Sequence, residues 1–201
     1  MDEKTRQILM SSKSENWLTP KDLFQKLHRV FHFKCDPCTM KSNPLGMKVF
    51  YTRKMDGLTL PWVGPAFVNP PYSMPVMING RYVRRADGTI KRTRVIHHWV
   101  QKGYHESLRG ITNVMLITQR LDTEIWQDVI IIKAKAICLM RGRKHFSKEK
   151  DPSTFGSALV VFTTESITEE QKEMLIKEGR TTIYHQPSSL VTDMPRVASV
   201  Y

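Results

Sequence analysis

Pro65-Ala66-Phe67-Val68 runs directly into Asn69-Pro70-Pro71-Tyr72. The apolar run reads as a buried strand. The prolines stop it, because proline has no amide hydrogen to give a ladder and holds the residue before it extended. A buried strand that ends in a rigid loop puts that loop where open α/β sheets take their ligands, beyond the carboxyl ends of the strands. The loop's chemistry suits the place. Pro70 and Pro71 point carbonyl oxygens in a fixed geometry, Asn69 adds a side-chain acceptor, and Tyr72 offers a stacking face. Two acceptors can take both hydrogens of a planar NH2 group and expose its nitrogen lone pair to an electrophile, so the loop reads as a site for an aromatic or amide amine.

Upstream, the first dozen residues are polar and read as a loose arm. Thr19 with Pro20 then marks a helix start, with Thr19 as cap and Pro20 at the first position. Leu23, Phe24, Leu27, Val30 and Phe31 follow at helical spacing. His32-Phe33-Lys34-Cys35 reads as a short strand that ends at Asp36-Pro37, residues 47–52 as a second strand, and Asp56-Gly57-Leu58 as a turn. Downstream, Asp87-Gly88 lies between two alternating basic segments, a hairpin signal. Beyond it the pattern gives helices over 99–108 and 123–133, strands over 113–118, 136–140 and 157–162, and a charged helix over 168–178. Strands alternating with helices predict an α/β fold: one Rossmann-like domain over 1–163 with a mainly parallel sheet and flanking helices. The basic hairpin is an insertion over 74–98, and 164–201 is a C-terminal helix and tail.

The composition narrows the class of partner. The chain has 201 residues, 40% of them hydrophobic, with four Trp, eight Phe and six Tyr, which excludes wholesale disorder and fibrous classes. Thirty-one Lys and Arg against nineteen Asp and Glu give a net charge of +12, which favours a polyanion, nucleic acid before a membrane surface. Three cysteines, at 35, 38 and 138, make no even disulfide framework and suit a reducing, cytoplasmic setting. No signal peptide or membrane span is expected, since the most apolar stretch, 125–140, is broken by Gln127, Asp128, Lys133 and Lys135. Cys35-x-x-Cys38 has zinc-like spacing without a second pair, and His97-His98 reads as solvated or phosphate-facing, so no metal is expected.

Asn69-Pro70-Pro71-Tyr72 is similar to the catalytic motif of S-adenosylmethionine-dependent methyltransferases that act on exocyclic or amide nitrogens. Other segments follow in order: Trp17-x-Thr19-Pro20, Phe33-x-x-Asp36-Pro37-Cys38, Asp56-Gly57-Leu58, Trp62-x-Gly64, Trp99-Val100-x-Lys102 and Gly142-Arg143-x-x-Phe146. The ordered set resembles the phage-type DNA adenine-N6 methyltransferase (Dam) family from about residue 16 to 162. The resemblance implies S-adenosylmethionine as cofactor and double-stranded DNA as partner, with a phage or prophage origin. It makes Asn69, Pro70, Pro71 and Tyr72 catalytic, with Asn69 and the Pro70 carbonyl holding the amine and Tyr72 stacking on a flipped base. It assigns Trp17, Thr19, Pro20, Asp36, Pro37, Asp56, Leu58 and Asn69 to the cofactor. Many methyltransferases follow their first strand with a glycine-rich turn. Residues 36–43 hold no glycine, a departure this family shares.

Arg81, Arg84, Arg85, Lys91, Arg92 and Arg94 stand in the insertion against one acid, Asp87, and read as the element that enters a DNA groove and follows phosphates. Arg141 and Arg143, with Lys144, Lys148 and Lys150, form a second basic cluster that is either DNA-facing or ordinary surface. The motif leaves cytosine N4 and an RNA amine open as targets. A non-catalytic nucleic-acid-binding module on the same fold is the alternative from another class.

Overall fold

The computed structural model describes residues 19–142 and 156–184. Helix α1 (Lys21–Phe31) turns Leu23, Phe24, Leu27 and Phe31 inward, as their spacing requires. Its start differs from the expectation. Pro20 is the N-cap and its carbonyl accepts the Phe24 N–H at 3.0 Å, while no side chain caps the helix. Strands β1 (Cys35–Thr39), β2 (Val49–Thr52) and β3 (Ala66–Val68) follow. Short strands β4 (Ser73–Pro75), β5 (Met77–Ile78), β6 (Arg81–Tyr82) and β7 (Arg92–Arg94) make up the insertion. Helix α2 (Ile96–Leu108) leads to β8 (Asn113–Thr118). A π-helical stretch (Ile125–Ile130) then continues into α3 (Ile131–Lys133), and β9 (Ala136–Met140), β10 (Ser157–Phe162), α4 (Glu169–Glu178) and β11 (Gly179–Ile183) complete the chain.

Seven strands form one sheet in the order β11-β9-β10-β8-β3-β1-β2. The pairs β2–β1, β1–β3 and β3–β8 are parallel, whereas β8–β10, β10–β9 and β9–β11 are antiparallel. Five of the seven strands therefore run in one direction, with β10 and β11 opposed. The parallel half expected from the sequence is the half that carries the Asn69 loop, and the sheet as a whole is mixed.

Each central strand feeds two cores, as the period of two in a strand demands. Phe67, Val114, Leu116, Leu159 and Val161 pack with α1 and α4 on one face. Ala66, Val68, Met115, Ile117, Ala158 and Val160 pack on the other with Trp62, Trp99 and Val100 of α2, and Trp126 of the π-helical stretch. The result is three layers, helices over both faces of the sheet.

Two expectations are corrected here. Strand β1 does not stop at Asp36-Pro37 but begins at Cys35 and runs through both. Pro37 is tolerated because the β1–β2 register breaks between Asp36 and Thr39, and β3 meets β1 only at Cys35, so no regular ladder position needs its missing N–H. Reading 164–201 as a helix and tail misses β11, which pairs with β9 from Gly179↔Met140 to Ile183↔Ala136. Gly179 lies so close to the Leu139 carbonyl that a Cβ there would collide with backbone. Helix α4 itself starts as a capping box, with the Thr168 hydroxyl accepting from the Gln171 N–H and the Gln171 side chain accepting from the Thr168 N–H.

Candidate active site

Three parallel strands end together. Val68 of β3 hands the chain to Asn69 while paired with Met115 of β8, so Thr118 at the end of β8 and Asp36 to Thr39 of β1 flank the loop. Pro70 is buried, and Asn69, Pro71 and Tyr72 are half-buried. The Tyr72 carbonyl accepts from the Val95 N–H at 3.1 Å, which ties the far end of the loop to the start of α2. Burial pushes the Tyr72 phenol far above its ordinary range, against opposing interactions with the side chain and backbone of Thr118. The ring therefore spans from its loop to the end of the neighbouring strand.

Asn69 is held from two sides. Its backbone interacts with the Cys38 thiol, whose pKa burial pushes well up. Its Nδ2 donates to Thr19 Oγ1 at 3.1 Å, which reaches in from the residue before Pro20. Sequence reasoning assigned Thr19 and Asn69 to one cofactor but paired neither Thr19, Cys38 nor Thr118 directly with the loop; the available signal was that Thr118 ends the strand read over 113–118.

Asp36 is 5% exposed, and desolvation is the main reason its carboxyl pKa rises to about 6. The Cys38 N–H donates to its Oδ1 at 3.2 Å and Thr39 adds a side-chain bond, both opposing the rise. Among the described residues, none of the groups that shift it is a cation. The Asp56-Gly57-Leu58 turn docks onto the same strand. Asp56 takes a left-handed φ of 57° and its Oδ1 accepts from the Leu58 N–H at 3.2 Å. Gly57 presses on the Pro37 carbonyl with no space for a Cβ, and its own carbonyl accepts from Trp62 Nε1 at 2.7 Å. Thr19, Asp36, Pro37, Asp56, Leu58 and Asn69 are thus linked through β1 and its neighbours. Trp17 lies outside the described residues.

The insertion differs from a single hairpin. Regular pairing joins β4 to β7 and β5 to β6, with a reversal at Asn79-Gly80, whose φ values of 49° and 75° suit a tight turn. The turn at Asp87-Gly88 carries one bridge, Arg84↔Ile90, and Asp87 Oδ1 accepts from the Thr89 N–H at 2.9 Å. Three of the basic residues shape the insertion. Arg92 donates to Ser73 Oγ at 3.0 Å and to the Ser73 carbonyl at 3.1 Å, beside Tyr72. Arg84 donates to the Gly88 carbonyl at 2.7 Å, and Arg85 to Thr89 Oγ1 and the Ile90 carbonyl, each at 3.4 Å. Arg81, Lys91 and Arg94 are exposed, and so are the apolar Met77, Ile78 and Tyr82 among them. Arg141 is exposed just past β9, its N–H bonded to the Glu178 carbonyl at 3.0 Å, three strands from β3 in the sheet order. Arg143, Lys144, Phe146, Lys148 and Lys150 lie outside the described residues.

A family model described as DNA N-6-adenine-methyltransferase (Dam) matches residues 7–182. The chain belongs to that family. The Dam match covers both halves of the sheet, the loop, the insertion, and β11 almost to its end. No curated protein matches the chain. Membership makes this protein a DNA adenine methyltransferase by family and DNA the expected substrate. Among the described residues no helix is long and apolar enough to cross a membrane, and no group of three or more His, Cys, Asp or Glu is arranged to hold a metal ion.

Proposed function

We propose that the protein transfers a methyl group from S-adenosylmethionine to the exocyclic N6 of an adenine turned out of double-stranded DNA. The observation that carries this is the convergence of β1, β3 and β8 on a loop that offers Asn69 Oδ1 and the Pro70 carbonyl as acceptors beside two prolines. The Dam match supplies the target class.

The residues fit the cofactor. A sulfonium with an ammonium group calls for acceptors and negative charge, and Asp36 provides a buried carboxylate that no cation among the groups shifting it offsets. Asp36, Pro37, Asp56 and Leu58 would hold the cofactor, with Pro20 and Asn69 on the side of the loop, while Trp17 and Thr19 are assigned to it by the resemblance alone. When bound, S-adenosylmethionine supplies an electrophilic methyl group.

The chain's own work is positioning. Asn69 Oδ1 and the Pro70 carbonyl accept the two N6 hydrogens, which turns the nitrogen lone pair toward the incoming carbon. Pro70 and Pro71 keep those acceptors from drifting, and Tyr72 stacks on the base it receives. Turning the base out costs a few kcal/mol of stacking and pairing, offset by these contacts. Arg81, Lys91 and Arg94 lie in the insertion anchored beside Tyr72 and face the DNA backbone, with Arg84, Arg85 and Arg92 setting its shape. Arg141 and Arg143 contact backbone farther along.

The test is incubation with S-adenosylmethionine and unmethylated DNA, digestion to nucleosides, and mass spectrometry, with Asn69→Ala as the control. N6-methyladenine formed only by the intact protein is the expected result. N4-methylcytosine would change the target, and methylation of RNA alone would change the substrate. DNA binding by a folded protein without any methylation would make it a binding module.

A further inference from the structure

Thr19 and Asn69 are fifty positions apart, yet Asn69 Nδ2 donates to Thr19 Oγ1 at 3.1 Å. An asparagine amide is nearly symmetric in shape and opposite in chemistry at its two ends, so a half turn about its last bond exchanges an acceptor for a donor. That exchange would be ruinous in this loop. An amine with two N–H groups needs the Oδ1 end, and the Nδ2 end would set donor against donor. Pro70 and Pro71 fix the backbone that follows, and the side-chain torsions of Asn69 decide which end of the amide faces the amine.

Thr19 is well made to control it. Its hydroxyl has no part in capping α1, since Pro20 is the N-cap and the helix has no side-chain cap bond. Its position is nonetheless set by α1. The Pro20 carbonyl starts the helix, and Leu23, Phe24, Leu27 and Phe31 are all buried against the sheet. The hydroxyl is therefore held by a core helix and directed at the amide nitrogen of the loop.

We propose that Thr19 is a positioning residue for the methyl transfer: its hydroxyl could pair with either end of an amide, so what it fixes is the side-chain rotamer of Asn69, and in the arrangement observed it accepts from Nδ2 and leaves Oδ1 to the target amine. This rests on the reading that Asn69 receives that amine, and it gives Thr19 a role other than the cofactor contact the resemblance implies. The hydroxyl, not the bulk of the side chain, carries the effect.

Steady-state kinetics of Thr19→Val and Thr19→Ser, with direct binding of S-adenosylmethionine and of DNA, test it. Thr19→Val is expected to lower kcat by about ten- to a hundredfold, the scale of a misplaced reacting group, with cofactor and DNA affinities within about twofold of the parent. Thr19→Ser keeps the acceptor and is expected to restore kcat to within about threefold. A weakened cofactor affinity with kcat unchanged in Thr19→Val would overturn the proposal in favour of a direct cofactor contact. Failure of Thr19→Ser to restore kcat while its melting temperature stays native would overturn it in favour of methyl packing. Should Thr19→Val not fold, Thr19→Ala replaces it with the same expectations: a kcat lowered about tenfold or more that Thr19→Ser restores supports the role, and an unchanged kcat removes it. An unmutated protein that methylates nothing would instead refute the underlying reading of Asn69.

Discussion

Replacing Asp36 by Asn removes a charge that folding has taken out of water. The carboxyl pKa rises from 3.8 to about 6 on burial, a shift of about 2 units, and at 1.36 kcal/mol per unit the folded state is penalised by about 3 kcal/mol once the group is ionised. The sign follows from which state holds the proton longer. Below about pH 4 both states are protonated and Asp36 costs nothing; between about 4 and 6 the unfolded chain releases its proton first; above about 6 the full penalty is present. Asp36→Asn keeps an oxygen to accept the Cys38 N–H and has nothing to ionise. Urea unfolding of the ligand-free protein should show the variant about 3 kcal/mol more stable at pH 7.5, and thermal melts should rise by about 6–12 °C. The two proteins should converge near pH 4. A gain below about 1 kcal/mol at pH 7.5, or one that persists at pH 4, would refute a buried and unoffset carboxylate. The same substitution should weaken cofactor binding, because a cationic ligand favours the ionised acid. In the parent protein, cofactor affinity should fall as the pH drops below about 6.

The other expectations concern stability and DNA. Gly57→Ala drives a Cβ into the Pro37 carbonyl and shifts the acceptor of Trp62 Nε1, a loss of about 2–5 kcal/mol that urea unfolding would read, and an unchanged midpoint would contradict the close packing. Thr168→Ala removes half of a capping box and should cost about 1 kcal/mol, seen as a lower unfolding midpoint with the slope unchanged. Alanine at Arg81, Lys91 or Arg94 should each reduce the slope of log affinity against log salt by about 0.9 if that residue meets a phosphate, and three unchanged slopes would return the insertion to ordinary solvated surface. Arg92→Ala should lower turnover more than DNA affinity, because it frees Ser73 beside Tyr72.

What was legible in the sequence depended on how completely a segment is buried. Residues 113–118, 136–140 and 157–162 are strands with the bounds their apolar runs gave, since strands covered on both faces have few polar positions to blur the pattern. Strand β11 was missed because Gly-Arg-Thr-Thr-Ile lies at the edge of the sheet, where Arg180 and Thr182 are exposed and the composition looks like loop. At β1, Asp36-Pro37 carried a local signal to stop, and the irregular register with β2 overrode it. The loop at Asn69 was readable because its residues are contiguous. Its supports were not: Thr19, Cys38 and Thr118 come together only through the packing of α1 and the parallel pairing of three strands, and no local pattern encodes that.

The place of β10 bears on how the chain is made. It lies between β8 and β9 although it is synthesised after both, and among the described residues β9 pairs only with β10 and β11. On the ribosome, then, β9 emerges with no strand to join, and β8 waits with an open apolar edge through some forty residues of further synthesis. Ser157 and Phe162 finally close that edge from Thr118 back to Asn113, so the strand end that supports Tyr72 gains its neighbour late. A nascent chain stopped before residue 157 would hold the whole Asn69 loop and still lack a finished site, and its bare strand would favour aggregation over slow completion.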